Sequence, residues 1–192
     1  NDEEFTNEIL NGDVHTANQN LAGLKTRDIA KTFIYALMYG AGDARLGNVM
    51  NASAKAGKKA RELFFENKPA FKKLNDKVKS TAKVRGYLKG LDKRVLWIRN
   101  EHASLNTLLQ SAGAIVMKKA LVLLDEYLQE KNLEYKFVAN IHDEWQMEVP
   151  QDIADQVGRL GVEAIVEAGN FFNLRCPLDG EYKYGRNWSE TH

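Results

Sequence analysis

Cysteine is nearly absent from this chain. Cys176 is the only one among 192 residues, which excludes an internal disulfide and a thiolate zinc cluster. A reduced, cytoplasmic setting is therefore expected. Only three prolines are present, and neither a repeat nor a low-complexity linker breaks the sequence. No apolar run is read as approaching the ~20 residues of a membrane helix, so no membrane partner is expected. The first residues, Asn1-Asp-Glu-Glu, are polar and acidic, unlike a signal peptide. With Asn instead of Met in first place, the chain is expected to be processed, spliced or a fragment.

Apolar residues make up 44% and charged residues 28%, the balance of a globular protein with a core. The length suits one domain or two small ones. A net charge of +1 hides an asymmetry. From Lys55 to Arg99 there are 15 Lys/Arg against 4 Asp/Glu, and the rest has 12 against 22. A basic block beside an acidic remainder suggests a face for a polyanion, or a solvated Lys-rich helix pair.

Turn and cap signals divide the chain. Asn1 to Leu10 reads as the end of a helix, closed by Asn11-Gly12-Asp13. Asp13 or Thr16 is a candidate cap for a short segment holding His15, and Thr26 for a helix from Arg27. Ser53 predicts a helix to about Glu66, and Pro69 one to about Thr81. Val84–Leu88 and Arg94–Ile98 read as a hairpin turning at Gly90-Leu91-Asp92. The longest helical pattern runs from Ala103 to Lys131. Phe137–Ile141 and Trp145–Val149 read as strands flanking His142-Asp143-Glu144, followed by a helix over Asp152–Ala168 and an edge strand over Leu178–Tyr184.

Three constellations carry chemistry. In Arg27-Asp-Ile-Ala-Lys31-Thr-Phe-Ile-Tyr35-Ala-Leu-Met-Tyr39-Gly40, two cations and two aromatics recur every fourth residue. At about 3.6 residues per turn they share one slowly drifting helix face. Cations suit phosphates and flat rings suit base and sugar. The same stripe also fits an amphipathic helix with snorkelling cations and core tyrosines. At the second hairpin, Asp143 and Glu144 offer oxygen ligands to a hard cation such as magnesium, or are ordinary turn residues. Asn106 and Gln110, four apart, share a face. Their amides suit the minor-groove acceptors common to all base pairs, or else bridge neighbouring helices.

The motif Arg-x-x-x-Lys-x-x-x-Tyr-x-x-x-Tyr-Gly resembles motif B of the family A DNA polymerases, and its wording is most similar to their phage replicative branch. His142-Asp143-Glu144 resembles motif C, and Asn106-x-x-x-Gln110 resembles a further family segment between them. The three occur in the family's order, and the resemblance covers essentially the whole chain. It implies an α+β fold: helical fingers over about 15–83 and part of an antiparallel palm over about 84–192. The implied activity is template-directed transfer of deoxynucleotides to a primer 3′-hydroxyl. By the same resemblance, His15, Arg27 and Lys31 bind the triphosphate, and Lys31 donates a proton to pyrophosphate. Tyr35 stacks on the incoming sugar and base, and a Tyr there goes with tolerance of dideoxynucleotides. Tyr39 stacks at the templating position. Asn106, Gln110 and His142 touch the DNA. Asp143 binds magnesium and Glu144 assists.

Two positions depart from the family: Ala36 stands where Gly is usual, and His102 where Arg is common. Motif A, the thumb and an exonuclease are not recognised. The expectation is therefore two Mg2+ ions whose second ligand set, with the thumb, comes from a partner chain. The site would act on primer-template DNA and deoxynucleoside triphosphates, in a host cytoplasm if phage-encoded. The alternatives are a catalytically inactive nucleic-acid-binding remnant, and a metal phosphohydrolase using His142-Asp143. The latter normally sets its His-Asp pair on helices with further histidines nearby, whereas only His15, His102 and His192 remain here.

Overall fold

A computed structural model describes residues 2–191; Asn1 and His192 lie outside the described residues. The chain divides into two compact units, Asn1–Leu109 and Gln110–His192.

The first unit is built from capped helices. Asp2 caps α1 (Glu3–Asn11), Asp13 caps α2 (Val14–Ala22) and Thr26 caps α3 (Arg27–Met38). After α4 (Asp43–Val49), Ser53 caps α5 (Ala54–Asn67), and Pro69 opens α6 (Pro69–Arg85). Each cap side chain accepts a backbone N–H that the first helical turn leaves unpaired. The helical segment expected to close at Asn11-Gly12-Asp13 is α1, in which Phe5 N donates to the Asp2 carboxylate at 2.9 Å. One core gathers Ala22, Leu24, Ala30, Phe33, Leu37, Leu46, Ala60 and Phe64. A second cluster joins Val78 and Ala82 of α6 to Leu88 and Leu105.

The first hairpin is shorter than its pattern suggested. Val84 and Arg85 belong to α6, which ends at Gly86 in the left-handed region. Strand β1 (Tyr87–Lys89) then pairs antiparallel with β2 (Val95–Trp97). A 3-10 turn over Glu101–Ala103 leads into α7 (Ser104–Glu130). By length and composition that helical stretch can cross a membrane, which corrects the expectation that no such run exists. Leu105, Ile115, Val116, Ala120, Leu124 and Leu128 on it are nonetheless buried within the protein.

In the second unit, Leu124 and Leu128 of α7 pack with Val157, Leu160 and Ala164 of α8 (Ala154–Phe171). Strands β3 (Lys136–Ile141) and β4 (Glu144–Glu148) form a two-stranded antiparallel sheet over this core. The register shifts once between Phe137 and Ala139, which leaves Val138 as a bulge residue. The short helix α9 (Trp188–Thr191) ends the described chain.

The edge strand expected over Leu178–Tyr184 does not form among the described residues. That segment lies along α8 instead. Tyr182 covers Gly158 so closely that a Cβ there would come within 2.1 Å of its ring. Its hydroxyl donates to Asp155 at 2.7 Å. The alternating apolar residues that mimic a strand are packing against a helix.

Candidate active site

Helix α3 turns its Ala30, Phe33 and Leu37 face into the core. The opposite stripe is open: Tyr35 is 48% and Tyr39 54% exposed. This excludes the core-tyrosine reading of the pattern. Arg27 and Lys31 are exposed on the same face, and Lys31 is in no ion pair among the described residues. Ala36 packs beside the Phe33 core, so its methyl group is half-buried and not part of the open stripe.

His15 sits next to this stripe on α2, its ring centroid 6.3 Å from that of Tyr35. Its Nδ1 is buried without a hydrogen-bond partner. A buried orphan nitrogen is costly unless a ligand or water completes it, and this one lies on the ring that neighbours Tyr35. The structure thus brings His15, Arg27 and Tyr35 to one locality, with Lys31 and Tyr39 on the same helix face.

Asp13 ties the locality together. Its carboxylate accepts from Arg27 Nε at 2.7 Å and Nη2 at 3.2 Å. It also caps α2 through His15 N at 3.0 Å and Thr16 N at 3.3 Å, and accepts from Thr16 Oγ1 at 2.8 Å. The Arg27 guanidinium holds the Asp13 carboxyl far below the usual carboxylate range, helped by the Thr16 hydroxyl. The pair uses one edge of the guanidinium, and its other N–H groups remain for an anion. Sequence reading found Asp13 only as a cap. Its partner is 14 residues away on another helix, and no local periodicity signals that.

The end of α3 is fixed by Gly40. Ala41 N donates to Ala36 O at 2.9 Å and Gly40 N to Leu37 O at 3.0 Å, a Schellman closure with Gly40 at φ +81°. A Cβ on Gly40 would lie 2.3 Å from the His102 carbonyl oxygen. The exposed His102 therefore meets the end of α3 through its backbone. Asn106 is half-buried and Gln110 exposed, four apart on α7.

The β3–β4 hairpin turns on two residues, His142 and Asp143, with Ile141 paired to Glu144. His142 takes φ +53°, the left-handed geometry that tight hairpins demand. Asp143 is exposed at the tip. Glu144 begins β4 rather than lying in the turn, and its Oε1 accepts from Gln146 Nε2. The described residues contain no group of three His, Cys, Asp or Glu side chains able to hold a metal. This set fits a share of a cation site, with Asp143 as a ligand, and does not fit a complete one.

Comparison with known proteins decides the ancestry. A family model described as DNA polymerase family A matches residues 3–190. The chain belongs to DNA polymerase family A.

Within the family it is 41% identical to the DNA-directed DNA polymerase of Enterobacteria phage T3, over 98% of this chain and 30% of that protein. The corresponding protein of Escherichia phage T7 is 40% identical over the same shares. Among solved structures, the POL domain of Pol1 from M. smegmatis in complex with DNA primer-template and dNTP has a TM-score of 0.76. It is 20% identical, and the match covers 85% of this chain and 33% of that one. That likeness shows the fold, in agreement with the expected α+β class. The chain spans less than a third of the length of the curated relatives it matches.

Proposed function

We propose that this chain is the fingers and part of the palm of a template-directed DNA polymerase. Residues of about 15–83 are assigned to the fingers and about 84–192 to the palm. The observation that carries the reading is the open Arg27-Lys31-Tyr35-Tyr39 stripe beside His15, in a chain of this family. Arg27 and Lys31 hold the triphosphate and Lys31 protonates the departing pyrophosphate. His15 completes the phosphate pocket through its orphan ring nitrogen. Tyr35 stacks on the incoming nucleotide and Tyr39 at the templating position. Asn106 and Gln110 check base-pair shape in the minor groove, and His142 lies beside the primer terminus.

Asp143, assisted by Glu144, contributes to holding Mg2+. Two such ions, when bound, activate the primer hydroxyl and stabilise the leaving oxygen. The second ligand set comes from polypeptide beyond these residues, which we assign to a partner segment carrying motif A and the thumb. The β3–β4 sheet supports this: with two strands among the described residues, its outer edges carry backbone groups able to accept another strand. We place its action in a host cytoplasm, in line with its phage polymerase relatives.

Primer extension with Mg2+ and four deoxynucleotides tests the reading. The chain is assayed alone and with a fragment carrying motif A and the thumb, each beside Asp143→Ala. Extension only in the mixture, lost in the variant, is expected. DNA binding without extension in any mixture would reduce the chain to a binding remnant. Extension at full enzyme rates by the chain alone would refute the need for a partner.

A further inference from the structure

The β1–β2 hairpin has two faces. Side chains alternate along a strand, so the Leu88–Leu96 pair points one way and the Tyr87–Trp97 and Lys89–Val95 pairs the other. Leu88 is buried with Val78, Ala82 and Leu105, and Leu96 and Ile98 pack against that cluster. The second face is therefore the open one. Trp97 is 74% exposed and meets Tyr87 edge-on, with ring centroids 5.8 Å apart. Val84, on the last turn of α6, is 84% exposed. A hydrogen bond of 2.9 Å from Ile98 N to Gly86 O anchors β2 to the end of that helix.

The same stretch of chain is rich in positive charge. From Lys77 to Arg99 there are eight Lys/Arg and one carboxylate, Asp92. Asp92 is already taken by Arg94 at 2.6 Å. Lys83, Arg85, Lys89, Lys93 and Arg99 are exposed, and none is in an ion pair among the described residues. An exposed indole costs free energy in water. Unpaired cations on the hairpin and its flanks repel one another, and an anion relieves that repulsion.

We propose that this hairpin face is a stacking platform for single-stranded nucleic acid, separate from the triphosphate stripe on α3. Each nucleotide of a single strand supplies one flat ring and one phosphate, the two chemistries displayed here. A duplex hides its base faces, and an acidic peptide brings charge without a ring at every residue. The inference goes beyond the polymerase reading and needs no catalysis.

The test uses the whole chain and a labelled oligo(dT) of about 15 nucleotides, followed by fluorescence anisotropy. Trp97→Ala is expected to weaken binding about 5- to 100-fold, with the unfolding midpoint lowered by about 4 °C at most, since only the edge-on contact with Tyr87 is lost. Oligo(dT) should quench tryptophan emission in the wild type and not in Trp97→Phe. Lys89→Glu combined with Arg99→Glu leaves the rings in place and should weaken binding about tenfold or more, with a shallower salt dependence. Affinity kept within about twofold in this charge-reversed variant overturns the proposal, whatever Trp97→Ala does. So does polyglutamate or a blunt duplex binding as tightly and with the same dependence on Trp97. Arg27→Ala should leave oligo(dT) affinity unchanged while weakening triphosphate binding. Loss of both would move the single strand to α3 and overturn the platform, while loss of neither would refute the triphosphate assignment alone.

Discussion

Replacing Gly40 by Ala tests whether the end of α3 is locked to the turn before α7. Gly40 holds φ +81°, where an L side chain costs about 1–2 kcal/mol. The added Cβ would also sit 2.3 Å from the His102 carbonyl oxygen. That atom is backbone, so no rotamer change relieves the clash. Overpacking of this kind costs about 1–3 kcal/mol. Together the two effects predict about 2–5 kcal/mol of destabilisation. In a chain of this size that lowers the thermal midpoint by about 4–20 °C. Gly42 is the internal control. It lies two residues on at φ −75°, and a Cβ there meets nothing within 4 Å. Gly42 is the N-cap of α4, where Ala is less favourable than Gly, so Gly42→Ala should cost up to about 1 kcal/mol and no more. Urea unfolding of both variants by far-UV circular dichroism measures the difference. If Gly40→Ala unfolds at the same urea concentration as Gly42→Ala, the contact with His102 is not a constraint and the reasoning fails.

Phe33 is fully buried at the centre of the first core, and Phe33→Ala should cost about 3–5 kcal/mol, read from the same unfolding curves. Asp143→Ala, at an exposed hairpin tip, should leave the unfolding midpoint within about 0.5 kcal/mol of wild type while abolishing primer extension in the mixture; a large loss of stability would make it a structural residue. Asp13 should make stability fall with acid. Its native pKa is depressed by Arg27, so the folded protein binds fewer protons than the unfolded one. The contribution is complete above about pH 4 and is lost as pH falls toward the native value. Asp13→Asn, which keeps the helix cap, should be less stable than wild type at neutral pH, with the gap closing below about pH 4. A gap independent of pH would refute the ion-pair account. The same variant should weaken triphosphate binding in a wild-type background and have no further effect beside Arg27→Ala, as titration with a fluorescent nucleotide would show.

What the sequence made legible follows from the range of each interaction. Thr26, Arg27 to Tyr39 and Gly40 are read within one helix, where a cap, a period of about 3.6 and a terminating glycine act on near neighbours. The hairpin at His142-Asp143 is legible as two strand patterns about a turn, but its register is not: Glu144, read as a turn residue, pairs with Ile141, and a bulge lies at Val138. The Asp13–Arg27 pair joins two helices, and the Gly40–His102 approach spans sixty-two positions. No periodicity encodes either. Leu178–Tyr184 failed in the opposite way. Its apolar residues do alternate, but alternation reports only that one side of an extended segment is buried. Here the burying surface is α8, whose Gly158 makes room for Tyr182, and no neighbouring strand is needed.

Trp97 carries this logic to function. In β2, Val95, Leu96 and Trp97 are all apolar, so the sequence pattern cannot say which face of the strand is inside. Only the packing of Leu88 under α6 turns Leu96 inward and Trp97 out. A hairpin that served only to complete the core would need no indole at 97, since a residue 74% exposed to water stabilises little by burial. The proposed single-strand platform accounts for the exposed ring. Trp97→Ser provides the comparison: folding stability lowered by no more than about 1 kcal/mol, the worth of its cross-strand contact with Tyr87, and affinity for a single strand reduced. A stability loss of about 3 kcal/mol or more, the range of a buried aromatic, would return Trp97 to the core and remove the reason for a second nucleic-acid surface.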